Sequence, residues 1–282
     1  SQPSNNVFFN FTSSDPTKMT LSTATITFTP INWNVSQTIT LTTIDNDIVE
    51  GTQTVSLSIR INEALSADCF VNPSPALDYI ISITDDEIAD FIITPLGNTL
   101  TEGLSQTVSL SVYLQAQPVA DVLINIVKNP IDEIITSVNS IVFTSLNWNV
   151  TQTVVLSSVD DFLDDGTMST NINFSVDPIS DVFFTSIPSK TFVIPNVDND
   201  STGVILIPGD NLTSESGDTG FFHLRLDSEP LSNVSFDILS SKVSEVTANV
   251  SSVTFTPTNW NVLQRINLLG VEDSPPFSDG SQ

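Results

Sequence analysis

Asn147-Trp148-Asn149-Val150 decides the fold, because the chain repeats this segment on both sides, as Asn32-Trp33-Asn34-Val35 and as Asn259-Trp260-Asn261-Val262. The three segments contain all three tryptophans, which lie 115 and then 112 residues apart. An aromatic strand end precedes each copy, and an alternating strand follows it. A period of this length is too long for a solenoid unit, so it predicts a tandem array of whole domains.

The segments around the repeat have the pattern of β-strands. In residues 54–61 every second residue is aliphatic and the others are polar, and residues 107–114 repeat this alternation. Strict period-two alternation with one apolar face indicates antiparallel sheets that pack face to face. We therefore predict an all-β protein of three tandem immunoglobulin-like antiparallel β-sandwiches with almost no helix. We expect the tryptophans to be largely buried against neighbours such as Phe28 or Phe143.

The register of the repeat also sets the domain limits. Val7, Val122 and Val234 each lie 26 residues before the tryptophan of their copy. The predicted domains are residues 1–87, 88–200 and 201–282, with about seven strands in the middle one. In this register the first copy lacks its first strands and the third copy lacks its last strands. We expect either that the two ends complement each other between molecules or that the chain is a piece of a longer repeat protein.

Charge excludes one large class of function. The chain has 33 acidic and 7 basic residues, for a formal net charge of −26. Nucleic-acid binding is excluded because it needs clusters of Lys and Arg. No apolar run approaches the roughly 18 residues of a membrane span. The single cysteine, Cys69, forms no disulfide framework, and we expect it to be a buried apolar residue.

The sequence contains no catalytic motif. The only histidine, His223, lies between Phe222 and Leu224, at the outward position of a predicted strand. Nucleophile elbows, zinc-protease motifs, phosphate-binding glycine loops and cysteine clusters do not occur in the sequence. We therefore predict that the protein is not an enzyme.

Acidic motifs recur at fixed places in the copies. An acidic residue lies twelve residues after each tryptophan, and the first loop reads Asp45-Asn46-Asp47-Ile48-Val49-Glu50-Gly51. The second copy also has Glu102-Gly103 after its first strand, and the first copy ends in Thr84-Asp85-Asp86-Glu87. This order of motifs resembles the Calx-beta family of extracellular and regulatory β-sandwiches, and the resemblance covers essentially the whole chain.

The resemblance implies a Ca²⁺ site at one end of the sandwich, among the early glutamate, the acidic loop and the terminal acids. It implies these ligands in the second domain: Glu102, Asp160, Asp161, Asp165, Asp198 and Asp200. In the first domain it implies Asp45, Asp47, Glu50, Asp85 and Asp86. The third domain departs from the pattern, since Ser216 replaces the glycine and Pro275-Pro276 interrupts the loop. The chemistry agrees, because Ca²⁺ takes six to eight hard oxygen ligands. The alternative is that these acids only form turns.

The sequence also predicts sites for asparagine-linked glycans. Acceptor triplets Asn-x-Ser/Thr occur at Asn10, Asn34, Asn149, Asn173, Asn199, Asn211, Asn233 and Asn249. Asn34 and Asn149 occupy the same place in the tryptophan repeat, on a turn that we expect to be exposed. Leu263 removes the acceptor from the third copy. Asn34 and Asn149 are therefore the first choice for glycans in a secreted eukaryotic protein.

Two classes of extracellular, cell-surface function remain open. The first is a structural protomer of a filament or surface layer, which joins copies of itself head to tail by strand complementation. The second is a fragment of a longer calcium-binding adhesin ectodomain. A carbohydrate- or ice-binding module is a weaker third possibility, because the sequence lacks the regular threonine arrays expected of ice binding.

Overall fold

The structure is a computed structural model that describes residues 2–66 and 77–272. Regular structure in these ranges consists of 21 β-strands, most of them paired antiparallel. The prediction of an all-β, tandem β-sandwich fold is confirmed. No helix in the described part of the chain is long and apolar enough to cross a membrane.

The first group of strands forms one four-stranded sheet and one two-stranded ribbon. The strands are β1 (Val7–Ser13), β2 (Met19–Leu21), β3 (Thr25–Phe28), β4 (Leu41–Thr43), β5 (Gln53–Ile61) and β6 (Leu77–Ile83). The sheet has the order β3-β1-β5-β6, and β2 pairs with β4. Between them lies a small core of Met19, Val55 and Leu57.

The middle group forms two full sheets. Its strands are β7 (Phe91–Leu96), β8 (Leu100–Thr101), β9 (Thr107–Leu114), β10 (Val122–Asn129), β11 (Ile134–Thr136), β12 (Ser140–Phe143), β13 (Gln152–Ser158), β14 (Met168–Val176) and β15 (Lys190–Val197). One sheet has the order β12-β10-β14-β15-β8 and the other β11-β13-β9-β7. Phe91, Phe143, Phe174 and Phe184 are fully buried in the core between them. The alternating residues of the sequence thus pack as the two inner faces of a sandwich.

The third group also has one four-stranded sheet and one two-stranded ribbon. Its full sheet corresponds to the sheet that is only a ribbon in the first group. Its strands are β16 (Val204–Pro208), β17 (Thr219–Leu226), β18 (Val234–Asp237), β19 (Val246–Ala248), β20 (Ser252–Phe255) and β21 (Gln264–Gly270). The sheet has the order β16-β17-β21-β19, and β18 pairs with β20. By register, this sheet corresponds to β7-β9-β13-β11 of the middle group, whereas the full sheet of the first group corresponds to β12-β10-β14-β15.

The tryptophan repeat is a turn that its first asparagine holds closed. In the middle copy the backbone N–H of Thr144 donates to Oδ1 of Asn147 over 2.6 Å, and the N–H of Val150 donates to the carbonyl of Asn147 over 3.0 Å. Thr29–Asn32 and Thr256–Asn259 make the same 2.6 Å bond in the other copies. The threonine hydroxyl also donates to the same Oδ1, over 2.9–3.1 Å in the three copies, which explains why Thr recurs three residues before Asn.

The expectation of buried tryptophans is correct for one copy and wrong for another. Trp260 is 8% exposed, Trp148 packs partly buried against the middle core, and Trp33 is 40% exposed. The ring of Phe162, from the acidic loop of the middle group, covers Trp260 with 5.6 Å between ring centroids. Trp260 also packs in the core of its own sandwich, with Leu224, Phe255 and Ile266. Among the described residues Trp33 has neither such a core nor such a loop against it, so the burial of each tryptophan depends on what packs over the turn.

One other expectation is wrong, and two are untested. The count of about seven strands in the middle copy is too low, because β8 and β11 have only two and three residues. Strands so short show no alternation that a sequence pattern could reveal. Cys69 and the Pro275-Pro276 segment lie outside the described residues, so the expectations for them stay untested.

We predict that Asn147→Ala lowers the stability of the middle sandwich by about 1–2 kcal/mol, because the Thr144 N–H and hydroxyl lose their shared acceptor. Asn149→Ala, in the same turn, is the matched control, since its side chain is exposed. Calorimetric melting of unglycosylated protein measures both. Equal melting temperatures for the two variants would contradict the role of the turn.

Candidate metal centre

The short strand β8 carries Glu102 into the sandwich. β8 pairs parallel with the end of β15, and the N–H of Glu102 donates to the carbonyl of Val197 over 3.0 Å. The side chain of Glu102 is buried, with 3% of the residue exposed. A carboxyl group in this position needs a partner, because burial of an unpaired charge is costly.

The acidic loop between β13 and β14 is tied to the end of β15 by Asp198. Its Oδ2 accepts the N–H of Gly166 over 2.8 Å, and its Oδ1 accepts the N–H of Asp200 over 2.7 Å. These bonds from Asp200 and Gly166 lower the pKa of Asp198, so the carboxylate stays charged. Asp198 therefore fixes the loop and the residues after β15 in one arrangement.

Three carboxylates from three segments meet there. Ligand oxygens of Glu102, Asp161 and Asp200 all lie within 4.8 Å of one another. Asn196 donates to Oε1 of Glu102 over 2.7 Å. Oε2 of Glu102 and Oδ1 of Asn196 are buried and have no hydrogen-bond partner among the described residues. These oxygens suit a hard cation, which takes carboxylate and amide oxygens as ligands.

The cluster holds its charges close together at an electrostatic cost. Burial, together with the charges of Asp161 and Asp198, raises the pKa of Glu102 to about 7. Burial and neighbouring acids also raise the pKa values of Asp165 and Asp200. A divalent cation would remove this repulsion, whereas without one the cluster favours protonation.

Two further residues complete the second-domain cluster. Asp165 lies beside Asp161 and Asp198, as expected from the sequence. Glu133 was not predicted, yet burial raises its pKa, and Asp165 and Asp161 add to the effect. Asp132-Glu133 directly precedes the short strand β11 and belongs to none of the quoted motifs. A signal was present in the sequence, because Glu245 stands at the corresponding place before β19.

Asp160 has a different position from Asp161. Its Oδ1 accepts a 3.3 Å hydrogen bond from the side chain of Asn199. This pair closes over Gly103, which has a φ of +66° and where an added Cβ would collide with the Asn199 side chain. The glycine of the Glu-Gly motif is thus required by both its left-handed backbone and the close approach.

The first group has a smaller cluster of the same kind. Ligand oxygens of Asp45, Asp86 and Glu87 lie within 4.8 Å of one another. A hydrogen bond with Asp85, then burial, raises the pKa of Glu87 to about 7. Glu87 belonged to the quoted terminal motif but was not among the predicted ligands. No third group of this kind occurs within residues 2–66 and 77–272.

The other expected ligands of the first group have other roles. Asp85 accepts the N–H groups of Glu50 and Gly51 over 2.7 and 2.6 Å, as Asp198 does for its loop. Burial opposes ionisation of Asp85, but the bonds from Glu87, Glu50 and Gly51 hold its pKa below the usual range. Glu50 pairs with Lys18 over 2.7 Å. Asp47 lies outside the cluster.

The acidic loop also contacts the next sandwich through its backbone. The N–H of Gln117 donates to the carbonyl of Asp47 over 2.7 Å, and the N–H of Val49 donates back to Gln117 over 3.0 Å. One repeat later, the N–H of Glu229 donates to the carbonyl of Phe162 over 2.7 Å. The loop that supplies Asp45 or Asp161 to each carboxylate cluster therefore also contacts the next sandwich.

Comparison with known proteins does not assign the chain to a family. No protein-family model matches it, and no curated protein matches it. Among solved structures, domains 4 and 5 of the S-layer protein SbsC share 13% identity over 67% of this chain and 70% of that one, with a TM-score of 0.28. The CBD12 structure of CALX1.2 shares 15% identity over 64% and 72%, with a TM-score of 0.25. The CsuC–CsuE chaperone–tip adhesion complex of Acinetobacter baumannii shares 10% identity over 60% and 87%, with a TM-score of 0.28.

We predict that millimolar Ca²⁺ raises the melting temperature of the middle sandwich and that chelator reverses the rise. A ligand at 100 times its Kd stabilises by about 2.7 kcal/mol. Asp161→Asn should abolish most of the shift, whereas Asp121→Asn, an exposed acid outside the cluster, should leave it unchanged. An equal shift in both variants would show that Ca²⁺ acts elsewhere.

We predict that in chelator the middle sandwich loses stability as the pH rises from about 5 to about 8. The folded pKa of Glu102 is raised from 4.5 to about 7, so its contribution is present below pH 4.5 and lost as the pH passes about 7. Glu102→Gln should make the protein more stable than the parent at pH 8 in chelator, by an amount on the order of 1–3 kcal/mol. In Ca²⁺ the order of the two should reverse. Melting curves across this range check the sign.

Proposed function

We propose that this protein is a structural protomer of an extracellular filament or surface layer, built from Calx-beta-like sandwiches with Ca²⁺ at their joints. Copies join head to tail by strand complementation between the first and third groups of strands. The observation that carries this proposal is that each of these groups leaves exposed a part of the core face that the other would cover.

In the middle sandwich the two corresponding faces cover each other. There β14 and β15 share one core with β7 and β9. The first group has β5 and β6, which correspond to β14 and β15, but the described residues contain no counterparts of β7 and β9. The third group has those counterparts, β16 and β17, but the described residues contain none of β14 and β15.

Residues at corresponding positions are more exposed in the first and third groups than in the middle sandwich, as the absence of covering strands among the described residues predicts. Ile194 and Phe91 are fully buried in the middle sandwich. Ile81, which corresponds to Ile194, is only half-buried, and Val204, which corresponds to Phe91, is 46% exposed. Tyr79 on the same strand as Ile81 is 65% exposed. Apolar faces and unpaired strand edges of this kind are what proteins normally cover.

One head-to-tail contact would cover one end of each of two copies. In this contact we expect β5–β6 of one molecule to pack against β16–β17 of the next, as β14–β15 packs against β7–β9 within the middle sandwich. Strand addition of this kind satisfies main-chain hydrogen bonds and buries alternate side chains. A head-to-tail contact does not close on itself unless the rotation permits, so it propagates into a filament.

Calcium contributes stiffness to such a filament. In the loop that carries Asp161, the Phe162 ring packs on Trp260 of the third sandwich and the Phe162 carbonyl accepts the N–H of Glu229. A cation that fixes the loop to Glu102 and Asp200 would hold successive sandwiches at one angle. This role follows from the position of the cluster in the joint.

The alternative function is that of a calcium-binding adhesin ectodomain of which this chain is a fragment. The two joint clusters favour it as much as they favour a filament. In that case the strands that cover β5–β6 and β16–β17 come from further along the same chain. Intact mass after removal of glycans separates the alternatives, because only an adhesin of greater length exceeds 30.5 kDa.

We predict that Ile81→Glu prevents assembly of 282-residue chains, because it places a charge on the face to be buried. Ile80→Glu is the matched control: the residue is adjacent on β6, and it is 71% exposed on the opposite face. Sedimentation velocity and negative-stain images give the state of assembly. Circular dichroism and the melting of the middle sandwich verify that each variant is folded.

Polymers in the parent and in Ile80→Glu, with monomers in Ile81→Glu, support the proposal. Folded monomers of the parent at high concentration refute it. Polymers that form equally in all three proteins would show that assembly uses another surface.

A further inference from the structure

We propose that the tryptophan turns of the first two sandwiches are sites of asparagine-linked glycosylation, at Asn34 and Asn149, and that the other six acceptor triplets stay unmodified. The glycans shield exposed apolar side chains of the turns. This inference does not depend on how copies assemble.

The structure separates these two acceptors from the rest by chemistry. A glycosyltransferase must reach both the side-chain amide and the hydroxyl two residues later. Asn34, Asn149, Ser36 and Thr151 are all exposed, and their side chains make no hydrogen bond within the described residues. Each acceptor follows the tryptophan in a turn whose shape the preceding asparagine already holds. The amide and hydroxyl are therefore both available.

The other acceptors each fail one of these conditions. Asn10 and Asn173 are half-buried in β1 and β14, which lie between two partner strands. Nδ2 of Asn199 donates to Asp160 beside the carboxylate cluster. Oδ1 of Asn249 accepts the N–H of Asn267, and this bond holds the Asn249 side chain against β21.

The last two acceptors have free amides but engaged hydroxyls. The hydroxyl of Thr213, which belongs to the Asn211 triplet, donates to the carbonyl of Asp218 over 3.1 Å. The hydroxyl of Ser235, which belongs to the Asn233 triplet, pairs with that of Thr254 over 2.8 Å.

The two turns that carry Asn34 and Asn149 differ from the third turn in a second way. Each also presents a fully exposed aliphatic side chain: Ile31 is 92% exposed and Leu146 is 91% exposed. The third turn lacks an acceptor and has Thr258 at the corresponding position. A bulky polar glycan beside Ile31 and Leu146 would keep these patches from associating, which large exposed apolar groups otherwise favour.

The transfer itself requires one co-reactant, an oligosaccharide linked to a lipid diphosphate. The amide nitrogen Nδ2 forms a bond to C1 of the first sugar. The bond from C1 to the diphosphate oxygen breaks, and the lipid diphosphate leaves with the electron pair. The amide loses one proton to a base of the transferase, so atoms and charge balance.

The test is glycopeptide mapping of the 282-residue chain secreted by eukaryotic cells. Enzymatic release of glycans in ¹⁸O-water converts each occupied asparagine to labelled aspartate. We expect label at Asn34 and Asn149 and none at the other six acceptors. Absence of label at Asn34 or Asn149, or comparable label at any of the other six, would overturn the proposal.

Shielding has its own readout. Removal of the glycans should increase binding of an apolar fluorescent dye, and the double variant Ile31→Thr and Leu146→Thr should remove most of that increase. Leu212→Thr, which changes another exposed aliphatic residue (68% exposed) away from the turns, is the control. Dye binding that does not respond to glycan removal would contradict the shielding role.

Discussion

The aspartate at the end of a sandwich, Asp85 or Asp198, holds the rest of the joint in place. Its carboxylate accepts backbone N–H groups from the acidic loop and so converts a flexible connection into a fixed one. Charge-assisted bonds to backbone N–H groups are roughly twice as strong as neutral ones. Both the metal cluster and the contact with the next sandwich depend on this anchoring, because they use side chains and carbonyls of the same loop.

The joint combines two effects that oppose each other without a cation. Main-chain bonds from Gln117 and Glu229 draw successive sandwiches together, while the acids of the loops repel one another. The raised pKa of Glu102 reflects the burial of its carboxyl group and, after it, that repulsion. A cation would change the balance in favour of the closed joint. An acidic chain can therefore be rigid where its charge is most concentrated.

The clusters of the first and second groups differ in one instructive way. Glu102 is carried by β8, a strand of two residues that pairs with β15, and the described residues contain no such strand beside β6. In the register of the repeat Glu87 corresponds to Asp200, so both clusters use that position. The other two members of the first cluster, Asp45 and Asp86, correspond to Asp160 and Asn199 and not to Asp161 and Glu102. The same end of the fold can thus gather three carboxylates from different sets of segments.

The sequence by itself determined the strand class, the threefold register and the end of the sandwich where acids gather. Alternation of period two and a recurring Asn-Trp-Asn-Val turn are local properties, so residues 54–61 and 107–114 revealed them directly. Asp161, Asp200 and Asp45 were also predictable, because they stand in motifs that repeat along the chain.

Tertiary structure alone decided which of those acids share a site and which only support it. Asp198 and Asp85 hold the acidic loops by accepting their backbone N–H groups, and Asp47 contacts the next sandwich through its backbone. Glu133 and Glu87 lie with the carboxylate clusters. Each of these roles depends on distances between segments that are far apart in sequence. The burial of the tryptophans also depended on contacts between segments far apart in sequence. Trp260 is covered by Phe162 of the preceding sandwich and Trp33 is not, although their local sequences are nearly identical. The sequence around a residue sets its backbone, whereas its burial is set by whatever the chain brings against it.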